Sequence, residues 1–169
     1  GIDINRPNHV WGTDITYVRA SGIWFYLVAI LDWYSRYVVA WRLSQSMSVE
    51  FCIAALRDAL TVATPDIHNS DQGSQYTADE YTAILKDGNI QISMDGRGCW
   101  RDNVFVERLW RSVKYEEVYL RAYETVSEAK QGLERYFTFY NERRPHTALD
   151  DKTPDEFYAE QLPAPHCAA

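Results

Sequence analysis

Between residues 96 and 118, GRGCWRDNVFVERLWRSVKYEEV, a Gly-broken loop runs into a strongly amphipathic segment. Apolar Val106, Leu109, Trp110 and Val113 recur at i, i+3, i+4 and i+7, which predicts a helix with one buried stripe. Asp102 stands where it would cap the first free amides. On the adjoining face Asn103, Glu107, Arg111 and Lys114 share one arc, each within roughly 40 degrees of its nearest neighbour at about 100 degrees per residue. A single acid among amide and basic groups fits an ordinary Glu107–Arg111 surface pair as well as it fits a site.

Upstream the period changes to two. Residues 10–18, VWGTDITYV, have strand composition and place Gly12, Asp14 and Thr16 on one face. An Asp in mid-strand is costly to bury unpaired, unless that face is solvated. After a turn at residues 20–22, the runs 23–31 and 36–43 predict an antiparallel meander whose middle strand, with little polar alternation, is covered on both sides. Ser48 is positioned to cap a helix through residue 62, with Val49, Cys52, Ile53, Leu56 and Leu60 at helical spacing.

Pro65 ends that helix. PDIHNSDQGSQY then supplies a short strand ending near Ser70 and Asp71. Open α/β sheets bind ligands at such strand ends, although Asp71 also suits a plain turn beside Gly73. Thr77 and Glu80 have capping-box spacing before a short helix with Tyr81, Ile84 and Leu85, and residues 89–94 make a last strand. A second capping box, Thr125 and Glu128, opens a helix to about residue 140 with Val126, Ala129, Leu133, Tyr136, Phe137 and Tyr140 mostly along one side. Pro145 interrupts it, and Thr153, Pro154 and Glu156 start a final short helix. The expected organisation is one domain over residues 1–162 and a flexible tail at 163–169.

Composition modifies this picture in three ways. A 46% apolar chain of 169 residues buries a full core, and its 6 Trp, 12 Tyr and 6 Phe either fill that core or line a contact surface. The formal charge of -7, from 24 acids against 17 Lys and Arg, counts against a nucleic-acid binder unless several acids converge on bound cations. Basic residues gather at 97–114 and 143–144, so a positive surface would be narrow. Finally, Cys52, Cys99 and Cys167 have no metal-like or paired spacing, and no signal peptide or 18-residue apolar run is present; a reduced, cytoplasmic protein is expected, with no membrane partner. The opening GIDINRPNHVW reads as a continuation in mid-protein.

Asp14, Asp71 and Glu107 lie on three elements and can meet only if the first and fourth strands are neighbours. That arrangement belongs to the ribonuclease H-like fold, an α/β fold with a mixed five-stranded sheet and helices on both faces. The motifs that carry the resemblance are W-x-x-D-I-T-Y at Trp11–Tyr17, HNSDQGSQY at 68–76, DNVFVERLWRSVKYE at 102–116 and YNERRPHTALDDKTPDEFY at 140–158. In these segments the chain closely resembles the catalytic core of bacterial insertion-sequence transposases of the OrfB type, relatives of retroviral integrases. Thirty-five residues separate Asp71 from Glu107, the spacing associated with that family.

The resemblance implies metal-dependent cleavage and strand transfer at transposon ends by Asp14, Asp71 and Glu107, holding two Mg²⁺ or Mn²⁺ ions roughly 3.5–4 Å apart, with Asp14 as bridge. It implies double-stranded DNA, as transposon ends and target, for partner, and a homo-oligomer in the DNA complex. Lys114 resembles the family's basic residue beside the cleavage point. Asn103 would bond a metal-bound water or orient Glu107, Arg111 would meet a phosphate or pair with an acid, and Trp100 and Arg101 would fix the loop or touch substrate. Gln72 departs from the Arg of many relatives, which would lower local phosphate affinity. His68 reads as structural, and Arg144 and His146 belong either to a basic segment of unassigned role or to local packing around Pro145. An RNA-strand nuclease on the same fold and a non-catalytic DNA-binding or assembly module are the competing readings.

Overall fold

The computed structural model describes residues 3–94 and 104–162. Its sheet has five strands, β1 (Val10–Ala20), β2 (Ile23–Asp32), β3 (Val38–Ser44), β4 (Ile67–Ser70) and β5 (Gln91–Met94), in the order β3-β2-β1-β4-β5. The first three form the expected meander, while β4 and β5 run parallel to β1. β1 and β4 are therefore neighbours. Ser21 and Gly22 join β1 to β2 with φ of 48° and 79°, the paired left-handed geometry whose twist suits a two-residue hairpin.

Helices cover both faces. On one side lie α1 (Val49–Val62), the single turn α2 (Ser74–Thr77) and α3 (Asp79–Asp87), and on the other α4 (Val104–Glu116) and α5 (Val126–Glu142). Strand alternation divides the core: Val28 and Ile30 of β2 pack with Cys52, Ala55, Leu56 and Leu85, whereas Leu27, Ala29 and Leu31 pack with Val106, Leu109, Val113, Leu133 and Phe137. β2 is thus buried on both faces, as its continuous apolar run predicts. Each fully buried Leu contributes about 2 kcal/mol.

The helix starts differ from one another. Thr125 Oγ1 accepts from the Glu128 amide at 3.1 Å, so the expected cap forms, while the returning Glu128 carboxylate accepts from the Glu124 amide, one residue before the cap. Thr153 caps α6 (Pro154–Glu160) in the same manner, accepting from Glu156 at 3.3 Å. The Thr77–Glu80 box does not form: Ala78 is the N-cap, and Thr77, already in the helical turn of α2, returns its hydroxyl to the carbonyls of Gly73 and Ser74. Ser48 occupies the cap position of α1, but its side chain makes no capping bond. Val126, expected on the buried side of α5, is exposed in its first turn. Asp102, Cys99, Cys167 and residues 163–169 lie outside the described residues.

Candidate active site

Parallel pairing of β1 with β4 sets the site. Gly12 is in register with Asn69, so two residues further along each strand come Asp14 and Asp71. Asp14 lies on the face toward α4, where Trp110 Nε1 donates to its Oδ2 at 3.1 Å. Asp71 follows the last residue of β4, and the Gly73 amide donates to its Oδ1 at 2.7 Å. A Cβ at Gly73 would stand 2.8 Å from that oxygen, so a larger residue there would force the Asp71 carboxylate to shift. Glu107 is exposed in the first turn of α4, and buried Val106, Leu109, Trp110 and Val113 fix the helix behind it.

The three acids are electrostatically linked. Burial raises the Asp14 pKa above the usual carboxylate value; the bonds from Trp110 and the Ile15 backbone pull it down, and the charges of Asp71 and Glu107 add to the rise. Among the described residues, however, no three His, Cys, Asp or Glu side chains are close enough to hold a metal ion. Soft or imidazole ligation has little support nearby. Burial and the charge of Asp71 push the Cys52 thiol up to about 12, keeping it protonated. His68 is 1% exposed, shares a 2.8 Å hydrogen bond with the Tyr81 hydroxyl, and burial lowers its pKa to about 4. It is a neutral core residue, as its strand-end position suggests.

The basic residues of α4 diverge. Lys114 faces a groove with Tyr17, Arg19, Trp24 and Tyr119 beside the β1–β2 hairpin. Arg111 opens into a different cleft, its guanidinium 5.7 Å from the Tyr115 ring, and makes no ion pair with Glu107. Gln72 is exposed beside Asp71. Trp100, Arg101 and Asn103 lie outside the described residues. Two features are not evident in the sequence pattern. Trp110 combines a place in the buried stripe with a hydrogen bond to Asp14. Arg36, from the turn before β3, joins Arg111 in its cleft through a pairing no spacing rule reveals.

Two models of the integrase core domain match the chain, one over residues 4–98 and one over 88–154. The transposase for insertion sequence element IS904 of Lactococcus lactis subsp. lactis (strain IL1403) is 34% identical over 155 residues, covering 89% of this chain and 61% of that protein. The putative transposase InsK for insertion sequence element IS150 of Escherichia coli (strain K12) is 34% identical over 155 residues, covering 90% and 55%. The chain thus spans a little over half the length of these curated relatives. Among solved structures, a simian T-cell lymphotropic virus intasome chain, in complex with PP2A regulatory subunit B56 gamma, superposes with a TM-score of 0.79 at 19% identity, over 99% of this chain and 59% of that one. The HTLV-2 integrase catalytic core domain in complex with magnesium gives 0.67 at 18% identity, over 90% and 97%. At such identities the structural matches speak for the fold, a ribonuclease H-like core.

Proposed function

We propose that this chain, which belongs to the integrase core domain family, is the catalytic core of an insertion-sequence transposase that cuts DNA at transposon ends and joins the freed 3′ ends to target DNA. The observation that best supports the reading is that the charges of Asp71 and Glu107 both bear on Asp14, so three carboxylates from three elements share one electrostatic neighbourhood. Relatives named as transposases give the substrate its class. Residues 1–162 would form the core and 163–169 a tail, with a DNA-binding region elsewhere in a longer protein, in keeping with the 55–61% of the relatives' length that the chain spans.

Asp14, Asp71 and Glu107 would hold one or two divalent cations, for which their donor set is suitable: carboxylate oxygens are hard ligands that Mg²⁺ and Mn²⁺ prefer. Bound ions would supply activation of the attacking oxygen and stabilisation of the leaving 3′-oxygen. The chain's own residues provide position. Trp110 holds Asp14 toward α4, the Gly73 amide holds Asp71, and the packed stripe of α4 sets the approach of Glu107. Cation binding would draw the three acids closer than they stand and offset both the burial that chiefly raises the Asp14 pKa and the repulsion from Asp71 and Glu107 that adds to it.

In cleavage, a water oxygen bonds to phosphorus as the P–O3′ bond breaks, leaving a 3′-hydroxyl and a 5′-phosphate; in joining, the oxygen of that hydroxyl bonds to a target phosphorus as the target's own P–O3′ bond breaks, and the released target 3′-oxygen takes up the proton. No protein nucleophile is required. Lys114 would hold a phosphate next to the cut, with Arg111 and Gln72 as further contacts and Trp100, Arg101 and Asn103 assigned to DNA or loop positioning. Assembly with paired DNA ends would make the working form a homo-oligomer.

The test offers labelled transposon-end duplexes and RNA–DNA hybrids to the full-length protein with Mg²⁺ or Mn²⁺. Nicking and joining of the DNA, abolished by Glu107→Gln with the fold retained, is the expected result. Undiminished activity of a clean Glu107→Gln preparation refutes the site, and preferential cleavage of the RNA strand assigns the protein to the nuclease alternative.

A further inference from the structure

The cleft that Arg111 opens into departs from the charge of the chain as a whole. Although the protein carries -7, Arg36, Arg108, Arg111 and Arg144 all open into one hollow of about 500 Å³, whose described lining includes a single acid, Glu116. Glu116 is already engaged. Arg144 donates to it through Nε and Nη2, the latter at 2.7 Å, and the Tyr136 hydroxyl donates at 2.9 Å. Arg36, Arg108 and Arg111 have no ion-pair partner among the described residues.

Two groups in the cleft show the combined cost of burial and neighbouring guanidinium charge. Arg36 donates through Nη1 to the Trp33 carbonyl and lies 3.7 Å over the Phe105 ring; its pKa is lowered to about 10 by burial first, with Arg108 adding to the fall and Tyr140 and Asp32 opposing it. His146, packed edge-on to Tyr140 at 5.0 Å, is lowered to about 4 by burial and by Arg144 and Arg36. Such a field favours an anion. Planar guanidinium groups on several sides match the oxygens of phosphates more closely than a point charge would.

We infer that this cleft, between α4 and the Arg144–Ala148 segment, binds the phosphate backbone of a DNA strand as it leaves the carboxylate site, with Arg36, Arg108, Arg111 and Arg144 as the clamp. The inference rests on the DNA-cutting reading above. It gives Arg144 and His146 a place: Arg144 faces the backbone while anchored by Glu116, and His146 forms the cleft wall. The path follows from α4, where Arg108 is the residue after Glu107 and Arg111 stands one turn on. Phe105, Tyr115 and Tyr140 supply flat walls for sugar and guanidinium surfaces. Phosphate contacts of this kind carry no sequence information, so the cleft orients DNA of any sequence.

The test measures binding of a labelled duplex of arbitrary sequence to the full chain in EDTA, across a series of salt concentrations. Arg108→Gln alone, at an exposed helix position, is expected to flatten the log affinity against log salt slope by about 1, and Arg108→Gln with Arg144→Gln by about 2. Both variants are checked for an unchanged fold by circular dichroism. In addition, His146 resonances followed by NMR should titrate at higher pH when DNA is bound, because phosphate offsets Arg36 and Arg144 while Glu116 and Tyr140 stay in place. Unchanged slopes and an unmoved His146 titration overturn the cleft, and if Glu107→Gln still abolishes cutting the catalytic reading survives. A polyglutamate peptide displacing the duplex at equal charge concentration also overturns it in favour of an acidic protein partner. Failure of the wild-type chain to bind or cut any DNA removes both readings.

Discussion

Trp110 Nε1 donates to Asp14 Oδ2 at 3.1 Å, which ties the middle of α4 to the middle of β1 across 96 residues of chain. This bond lowers the Asp14 pKa against the larger upward push of burial. Trp110→Phe keeps an aromatic ring in the stripe but leaves the carboxylate without that donor. We expect a stability loss of about 1–3 kcal/mol, the usual result of orphaning one partner of a buried hydrogen bond. The Asp14 pKa should rise further and half-maximal activity should need more Mg²⁺. Denaturant melts and a metal titration of activity check both; a variant with wild-type metal dependence would limit Trp110 to packing.

Asp14 also sets the stability of the metal-free protein. Its folded pKa lies above the ordinary carboxylate value, so its favourable contribution is complete below 3.8 and is lost as pH rises through the folded value. At neutral pH the ionised group therefore opposes folding. Asp14→Asn should melt higher than wild type in EDTA while losing activity. Mg²⁺ should stabilise the wild type, by about 1.4 kcal/mol at ten times the dissociation constant, and leave Asp14→Asn unmoved. Thermal melts with and without Mg²⁺ decide this, and an equal metal response in both proteins counts against Asp14 as a ligand.

The elements that were legible in the sequence are those whose period one packing surface imposes. The meander follows from unbroken apolar runs, and α4 from a stripe that faces a single sheet. The neighbouring of Asp14 and Asp71 was expected only through the likeness to a known fold, because strand order is a long-range property that no local pattern encodes. The Thr77 cap failed where a one-turn helix intervened and redirected a hydroxyl. Helical angles grouped Arg111 with Lys114, yet neighbouring elements send them into separate clefts: Arg36 and Arg144 meet one, the β1–β2 hairpin the other. A helical wheel has no information about those neighbours.

Gly12 connects packing to the site. A Cβ there would fall 2.2 Å from Trp33 Nε1, and Trp33 in turn packs on Phe105 of α4 with ring centroids 5.8 Å apart. Gly12→Ala must displace Trp33 and disturb the start of α4, where Glu107 sits. The expected cost is about 1–3 kcal/mol, together with reduced cutting activity. Gly22→Ala is the control: its φ of 79° makes it strained, but nothing lies within 4 Å of the added carbon. That variant should lose about 1 kcal/mol with cutting activity retained. Equal activity losses in the two, measured at matched folded fraction, would disconnect Trp33 from the site.

Acid stability should depend on His68. Its folded pKa of about 4 lies below the ordinary 6.5, so the neutral form's contribution is present above 6.5 and is lost as pH falls through 4. The shift corresponds to roughly 3 kcal/mol for this fully buried ring. His146 is depressed in the same direction but is only half-buried, so solvent reduces its share. Asp14 and Asp32, raised by burial, act in the opposite sense, gaining stability as they protonate. The loss between pH 6.5 and 4 therefore belongs first to His68. His68→Gln removes the titration while leaving an amide to meet the Tyr81 hydroxyl. Denaturant melts across that range should show a flatter pH profile than wild type, even if the variant is less stable at neutral pH. A profile parallel to wild type would show that the ring does not carry the acid response.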